Sequence, residues 1–330
     1  MIQDTNEEYV SCEYLQSGLN FHSNLISTCG FHTKGLIFIL RDPKSPINIS
    51  YEEIEKKRLE VIESRQIPEG CQGCFNLKKK KWSQADRKIK IINIDNWRQC
   101  NCGCIYCSNR GREYQEFLSD KVTKSRFYDV LPILKEAEEK NFLSEDLSVY
   151  TTGGEPSSLL EYSDIINLLL KNKYKEIIML SSGIELQPSI QKALEDNRNN
   201  VLTISLDCGT RETYKKIKQI DAFDKCISNI KKYIQHAYSE YQVILKYIIL
   251  TNINDNTEEI DKFFDIAKDV GCRNVVFSIE FCNSLEKRKG EKIPQKIYEL
   301  FDYAEKKAKE MFFVYSVIDT VKDILKRGHY

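Results

Sequence analysis

From about residue 88 onward, short β-branched apolar runs alternate with stretches of helical periodicity, and this alternation restricts the chain to α/β architectures. Strands are expected at 89–95, 146–151, 176–181, 201–206, 242–250 and 274–280, each apolar on both faces as buried parallel strands are. Amphipathic helices separate them. Ile260, Phe263, Phe264 and Ala267 share one face, and Asn256 with Glu259 reads as the capping box that starts that helix. A last helix at about 292–311 lines up Ile297, Leu300, Phe301 and Ala304. Strands joined by helical crossovers give a parallel sheet, as an open barrel or doubly wound, and both collect chemistry at the carboxyl ends of the strands.

Residues 1–87 follow another pattern and are expected to form a small separate unit, with 88–330 as the α/β domain. The first part holds a hairpin from Gly18-Leu19-Asn20-Phe21 to a thiol at Cys29, a short strand from Leu36 to Leu40 and a helix after Ser50 with Glu53 as its capping partner. The run Lys78 to Lys81, followed by Trp82, reads as a solvated linker between the two parts.

The chain is long enough, at 330 residues of which 41% are hydrophobic, for one large core plus an appended unit. Lysine and arginine total 49, as do aspartate and glutamate. A net charge of zero provides no global field to draw in nucleic acid or a membrane surface. The acidic, polar start MIQDTNEEYVSCEY does not read as a signal peptide. The longest strongly apolar stretch, Val243 to Leu250, contains Lys246 and is too short to span a bilayer. A cytoplasmic enzyme without nucleic-acid or membrane partners is expected.

Twelve cysteines are many for such a protein, and four of them, Cys100, Cys102, Cys104 and Cys107, fall within the eight residues CNCGCIYC. Three form CxxxCxxC directly after the first strand. Three thiolates in a loop can each bind one iron of a [4Fe–4S] cube and leave the fourth iron open to a small molecule. A structural zinc site is the plainer alternative, with Cys71 and Cys74 pairing with Cys104 and Cys107 as two knuckles. That alternative leaves Cys100 without a role. One strand and one helix later comes Thr152-Gly153-Gly154-Glu155-Pro156, a glycine-rich turn.

Cys100, Cys104 and Cys107, with Tyr106 before the last, resemble the cluster loop of the radical S-adenosylmethionine (SAM) superfamily. The resemblance covers about 90–285 and implies a partial (β/α)6 TIM-type barrel behind a small cysteine-rich N-terminal unit. It implies that Gly153, Gly154, Glu155 and Pro156 present carbonyls and a carboxylate to the SAM amino group. Ser182, in Ser181-Ser182-Gly183, resembles the polar turn near SAM, and Ser205-Leu206-Asp207 resembles a segment ending the fourth strand. Lys218, with Arg211 and Lys216 as rivals, is similar to the cation that meets the methionine carboxylate. Cys208 departs from the pattern, standing where a glycine commonly follows the aspartate. The implied chemistry is reductive cleavage of SAM to methionine and a 5′-deoxyadenosyl radical, which takes hydrogen from an unactivated C–H bond.

Cys12, Cys29, Cys71 and Cys74 precede the barrel and are similar to pieces of SPASM and twitch extensions, which hold auxiliary iron–sulfur clusters. Those extensions usually follow the barrel, whereas here the cysteines come first. Four thiolates would complete a second [4Fe–4S] site; structural zinc and unrelated core thiols are the alternatives. Cys208 and Cys282 follow strand ends and are candidate hydrogen-atom donors for an epimerisation, while Cys102 reads as a bystander. The expected reaction is oxidation, cross-linking or epimerisation of a peptide or carbohydrate-like substrate, fed by a flavodoxin or ferredoxin. An activase making a glycyl radical on a partner protein, and a zinc-stabilised binding module without activity, are the rivals.

Overall fold

The computed structural model describes residues 7–22, 25–29, 36–39, 49–68, 71–74, 76–83, 87–97, 99–107, 128–280 and 290–328. These form two compact units: one takes the chain up to Gln99 and again from 128 to 178, the other takes 100–107 and everything from Met179 onward. The expected boundary at residue 87 does not coincide with this division.

The first unit begins with β1 (Glu8–Ser11), α1 (Glu13–Ser17), β2 (Gly18–His22), β3 (Leu25–Ser27), β4 (Leu36–Ile39) and α2 (Tyr51–Glu63). It continues with β5 (Lys78–Lys81), β6 (Ile89–Asp95), α3 (Val130–Glu139), β7 (Leu143–Thr151) and α4 (Tyr162–Asn172). Its main sheet has the order β4-β3-β2-β6-β7. The β2, β6 and β7 strands run parallel, and β3 and β4 turn back antiparallel. The N-terminal segment is therefore built into the sheet, because β2 pairs with β6 from Gly18 opposite Ile91 to His22 opposite Asp95. The lysine run is not a linker. It forms β5, antiparallel to β1 with Lys81 opposite Glu8, and Lys80 lies 3.8 Å above the Trp82 ring while pairing with Glu13 at 3.0 Å. A cation over an indole face and a nearby carboxylate offset the repulsion of four adjacent lysines.

Helix α2 starts as expected, with both halves of the Ser50–Glu53 capping box present. It buries Arg58, whose guanidinium bonds to Glu55 at 2.8 Å, to the Arg87 carbonyl at 2.6 Å and to the Gln16 carbonyl. A buried charge of this kind is tolerated because it is paired and hydrogen-bonded.

Strand β8 (Glu176–Ser181) crosses from the first unit to the second. The second unit then runs α5 (Pro188–Asp196), β9 (Val201–Ser205), α6 (Arg211–Lys218), α7 (Phe223–His236), β10 (Val243–Ile249) and α8 (Thr257–Val270). It ends with β11 (Asn274–Ile279), α9 (Gln295–Glu310), β12 (Val314–Val317) and α10 (Asp319–Arg327). Strands β9, β10, β11 and β12 are parallel neighbours in that order. Tyr247, Phe263 and Phe277 pack with ring centroids 5.0–5.7 Å apart at the centre of its core. Five of the expected strands match to within a residue, and β7 starts three residues earlier than expected. The fold is α/β with mostly parallel strands, as the alternation requires. No described helix is long and apolar enough to cross a membrane.

Candidate active site

In the second unit the cysteine loop is docked on the carboxyl end of α6. Gly103 N–H donates to the Lys218 carbonyl at 2.8 Å and Ile105 N–H to the Ile217 carbonyl at 3.0 Å. Those carbonyls belong to the last helical turn, which has no partners of its own, so the loop caps the helix while the helix fixes the loop. Tyr106 packs against Ile217, Ile248 and Leu250. Its hydroxyl donates to Asp207 Oδ2 at 2.7 Å and accepts from Lys218 Nζ at 3.2 Å.

Asp207 and Lys218 form an ion pair 0% and 2% exposed. Asp207 sits in the left-handed region at φ 61°, held there because Oδ1 accepts from Ile248 N–H at 2.9 Å and its carbonyl accepts from Asn254 at 2.8 Å. Burial alone would lower the Lys218 pKa, but Asp207, Tyr106 and Cys104 around it hold the ammonium well above its ordinary range. Lys218 is thus committed to Asp207 and not displayed as a free cation, the role expected of it. A buried charge needs its counter-charge, and Asp207 is that group. The rival Arg211 bonds to Asp221 at 3.0 Å and Asp224 at 2.9 Å on the surface.

None of the four loop cysteines is in a disulfide. The Cys102 thiol lies between Cys100 and Cys104, and its hydrogen bonds to them keep its proton on. Cys104 is pulled down to about 6, first by the bond from Cys102, against burial, and further by the Lys218 charge. Cys107 N–H donates to the Cys104 carbonyl at 3.1 Å. The expected bystander is therefore the hydrogen-bonding centre of the loop. Ser182 reaches the same loop, donating to Asn101 Oδ1 at 3.0 Å. Ser205 ends β9, half-buried and opposite Lys246.

In the first unit the glycine-rich turn is laced to the end of β6. Gly154 N–H donates to the Trp97 carbonyl at 2.8 Å and Glu155 N–H to the Gln99 carbonyl at 2.7 Å. Gly153 has φ 100°, and a side chain there would meet the Trp97 carbonyl at 2.6 Å and Asp95 Oδ1 at 2.7 Å. Only glycine serves at that position. Glu155 is 2% exposed and accepts from Ser157, and Pro156 opens a buried turn of 3₁₀ helix.

The N-terminal thiols gather in the same unit. Cys12, Cys29 and Cys71 are buried and Cys74 half-buried, and all four are free. Burial pushes the Cys12 thiol up, and Cys29 and Cys71 lie close enough to add to the shift; Cys71 is raised by burial, then by Cys29 and Cys74. Cys71 and Cys74 form the expected knuckle, with Cys74 N–H donating to the Cys71 carbonyl at 3.0 Å. Among the described residues no three cysteine, histidine or acidic side chains already stand as a closed metal site. The four thiols would have to draw in around an ion. Their chemistry fits an iron–sulfur or zinc centre, both of which take thiolates.

Sequence reasoning missed the His22–Asp95 pair, at 3.5 Å, and the amide contact from Asn93 to Asn20, at 2.6 Å. Both depend on β2 lying beside β6, which nothing in local periodicity announces. Of the expected hydrogen donors, Cys208 is 0% exposed with its thiol raised first by burial, and Cys282 lies outside the described residues. A thiol sealed in the core is a poor donor to a substrate radical, so the epimerisation reading loses its support at Cys208.

The family model of the radical SAM superfamily matches residues 97–265, more than half of the chain. The chain belongs to the radical SAM superfamily. It is an enzyme of a family that works with a [4Fe–4S] cluster and SAM. A probable GTP 3′,8-cyclase from Saccharolobus islandicus is 29% identical over 189 residues, 57% of this chain and 56% of the relative. Another from Methanocaldococcus jannaschii is 24% identical over 204 residues, 62% of this chain and 63% of that one. The radical SAM protein thus spans less than two thirds of the curated relatives it matches. Streptococcus suis SuiB, in its crystal structure with the precursor peptide SuiA, superposes with a TM-score of 0.53 at 14% identity. That match covers 85% of this chain and 57% of SuiB, and shows a shared fold.

Proposed function

We propose that this radical SAM enzyme holds a [4Fe–4S] cluster on Cys100, Cys104 and Cys107 and oxidises a C–H bond of its substrate. The observation that carries the reading is the bonding of Gly154 and Glu155 to Trp97 and Gln99. It ties the turn that resembles a SAM-binding motif to the residue directly preceding Cys100. Cys100, Cys104 and Cys107 would hold the cluster there, and the chemistry it would supply is one-electron reductive cleavage of SAM. The chain's own part is to hold its ligands and orient SAM. Cys104 is favoured as a thiolate, Lys218 and Asp207 fix the loop from beneath, and the Gly153–Glu155 turn offers backbone groups to the SAM amino group.

Cys12, Cys29, Cys71 and Cys74 are proposed to hold a second [4Fe–4S] cluster, which would supply an acceptor for the electron left on the substrate after hydrogen abstraction. Their mutual approach supports this. The reducing electron for the first cluster is proposed to come from a flavodoxin or ferredoxin. Cys208 is left out of the machinery because it is buried.

Anaerobic reconstitution of the wild type and of the Cys100→Ala/Cys104→Ala/Cys107→Ala variant tests both assignments through iron, sulfide, zinc and 5′-deoxyadenosine. Two clusters in the wild type, one in the variant, and SAM cleavage by the wild type alone are expected. A variant that loses all its iron removes the second cluster from the proposal, and a wild type holding only zinc removes the first. The names of the relatives favour a second reading, GTP as substrate; consumption of GTP with SAM and dithionite would establish it.

A further inference from the structure

We propose that the cavity bounded by β2, β6 and β7 is a binding site for a neutral sugar ring. The cavity lies wholly within the first unit and has a volume of about 240 Å³. This is below the range of about 300–1,000 Å³ typical of drug-sized ligands, and suits a single ring.

Leu19 and Ile91 supply apolar lining, while Tyr14 and Tyr150 supply aromatic faces. Ring C–H groups pack well on such faces. Asn20, Asn93, Thr152 and Thr28 supply the polar lining. Thr152 donates to Asn93 Oδ1 at 3.1 Å, and Asn93 donates to Asn20 Oδ1 at 2.6 Å. Asn20 spends its two N–H groups on Ser27 and His22, so the relay orients both amides and leaves a lone pair on Asn20 and one N–H and one lone pair on Asn93 to bond ligand hydroxyls.

Thr28 is the observation that points to a ligand. It is 1% exposed, lines the cavity, and its hydroxyl has no hydrogen-bond partner among the described residues. A buried hydroxyl left unpaired costs about 1–3 kcal/mol. The hydroxyl is itself covered, so a turn of χ1 to another staggered rotamer would bring it to a ligand hydroxyl in the cavity.

Charge selects among ligands. Among the described residues, no cavity-lining side chain carries a formal charge. Tyr150 is raised first by burial and then by the anionic Glu176, so its phenol stays neutral. A triphosphate or a phosphorylated sugar needs cations or a helix N-terminus to replace its lost water, and the lining offers neither. Hydroxyls and ring C–H groups match what is present. Thr28 directly precedes Cys29 and Tyr14 follows Cys12 by two residues, so a ring held here sits beside the proposed second cluster. The sugar would be the substrate: a carbinol C–H hydrogen atom would pass to the 5′-deoxyadenosyl radical, the electron left on carbon to the proposed second cluster and the hydroxyl proton to solvent, leaving a carbonyl, and that step alone rests on the function proposed above.

The test uses the full chain, reconstituted anaerobically, in saturation-transfer NMR. The probes are methyl glucopyranoside, methyl galactopyranoside, N-acetylglucosamine, GTP and a neutral pentapeptide. At least one sugar is expected to bind, with no displacement by GTP or the peptide. Thr28→Val is nearly isosteric and removes an unpaired hydroxyl, so its melting midpoint should equal or exceed that of the wild type. Its sugar affinity should nevertheless fall about fivefold, the worth of one hydrogen bond. Absence of binding by all three sugars, displacement by GTP or peptide, or unchanged affinity in Thr28→Val would each overturn the assignment. If sugars fail while the wild type still forms 5′-deoxyadenosine, the ligand assignment falls and the radical reading stands. If a sugar binds and no 5′-deoxyadenosine forms, the reverse holds.

Discussion

Lys218 and Asp207 show how one buried pair can set the geometry of a reactive loop. Each charge is sealed from water and justified by the other, and Tyr106 bridges them. Replacing Lys218 by Met leaves the Asp207 carboxylate buried without its counter-charge. Removing one partner of such a pair costs about 3–5 kcal/mol. Lys218→Met should therefore lower the free energy of unfolding by about that amount in urea titration. Lys218→Met/Asp207→Asn should recover much of the loss, because the double variant buries no net charge. Equal destabilisation in single and double variants would mean that the pair is held by packing alone. Both residues were legible in the sequence as members of a motif. Their partnership was not, since it requires Asp207 in a left-handed conformation that brings its carboxylate against the end of α6.

The start of α8 carries a similar lesson one level up. Asn256 and Glu259 have capping-box spacing, and Asn256 does accept from Glu259 N–H at 2.9 Å. The Glu259 carboxylate does something else. It accepts from Gly209 N–H at 2.7 Å and from the hydroxyls of Thr210 and Thr213 at 2.8 Å, joining α8 to the start of α6. Close packing requires this arrangement: a side chain at Gly209 would meet the Glu259 carbonyl at 2.2 Å. Glu259→Ala would leave three donors without their charged acceptor and should cost about 3 kcal/mol, while Asn256→Ala should cost about 1 kcal/mol as an ordinary cap. Thermal denaturation of the two variants checks the order, and equal shifts would return Glu259 to a simple capping role. Strands with continuous apolar runs, such as β6 and β8, were readable from periodicity. Strand β2 was readable as one arm of the hairpin from Gly18 to Cys29, which pairs antiparallel with β3, but its place beside β6 was not; nor was β5, whose lysines look solvated until β1 is found beside it.

Across the whole molecule the tyrosines give a pH dependence of definite sign. The sequence contains 18 of them. Burial comes first among the causes that raise Tyr174, which is pushed up to about 12, and burial raises Tyr51, Tyr214, Tyr247 and Tyr315 further. An unfolded phenol titrates near about 10. A group whose folded value is raised above its unfolded one contributes stability that is complete below the unfolded value and is lost as the pH climbs toward the folded value. Tyr51 and Tyr174 lie in the first unit and the other three in the second, so alkali weakens the core of each. Stability measured in urea should be insensitive to these phenols up to about pH 9 and fall steadily above about pH 10. Phenolate absorbance should show an early fraction titrating near about 10 and a late fraction appearing only as circular dichroism is lost. If every phenol ionises in one step near about 10 with the dichroism intact, these side chains are not buried in solution, and the core of each unit is looser than its packing indicates.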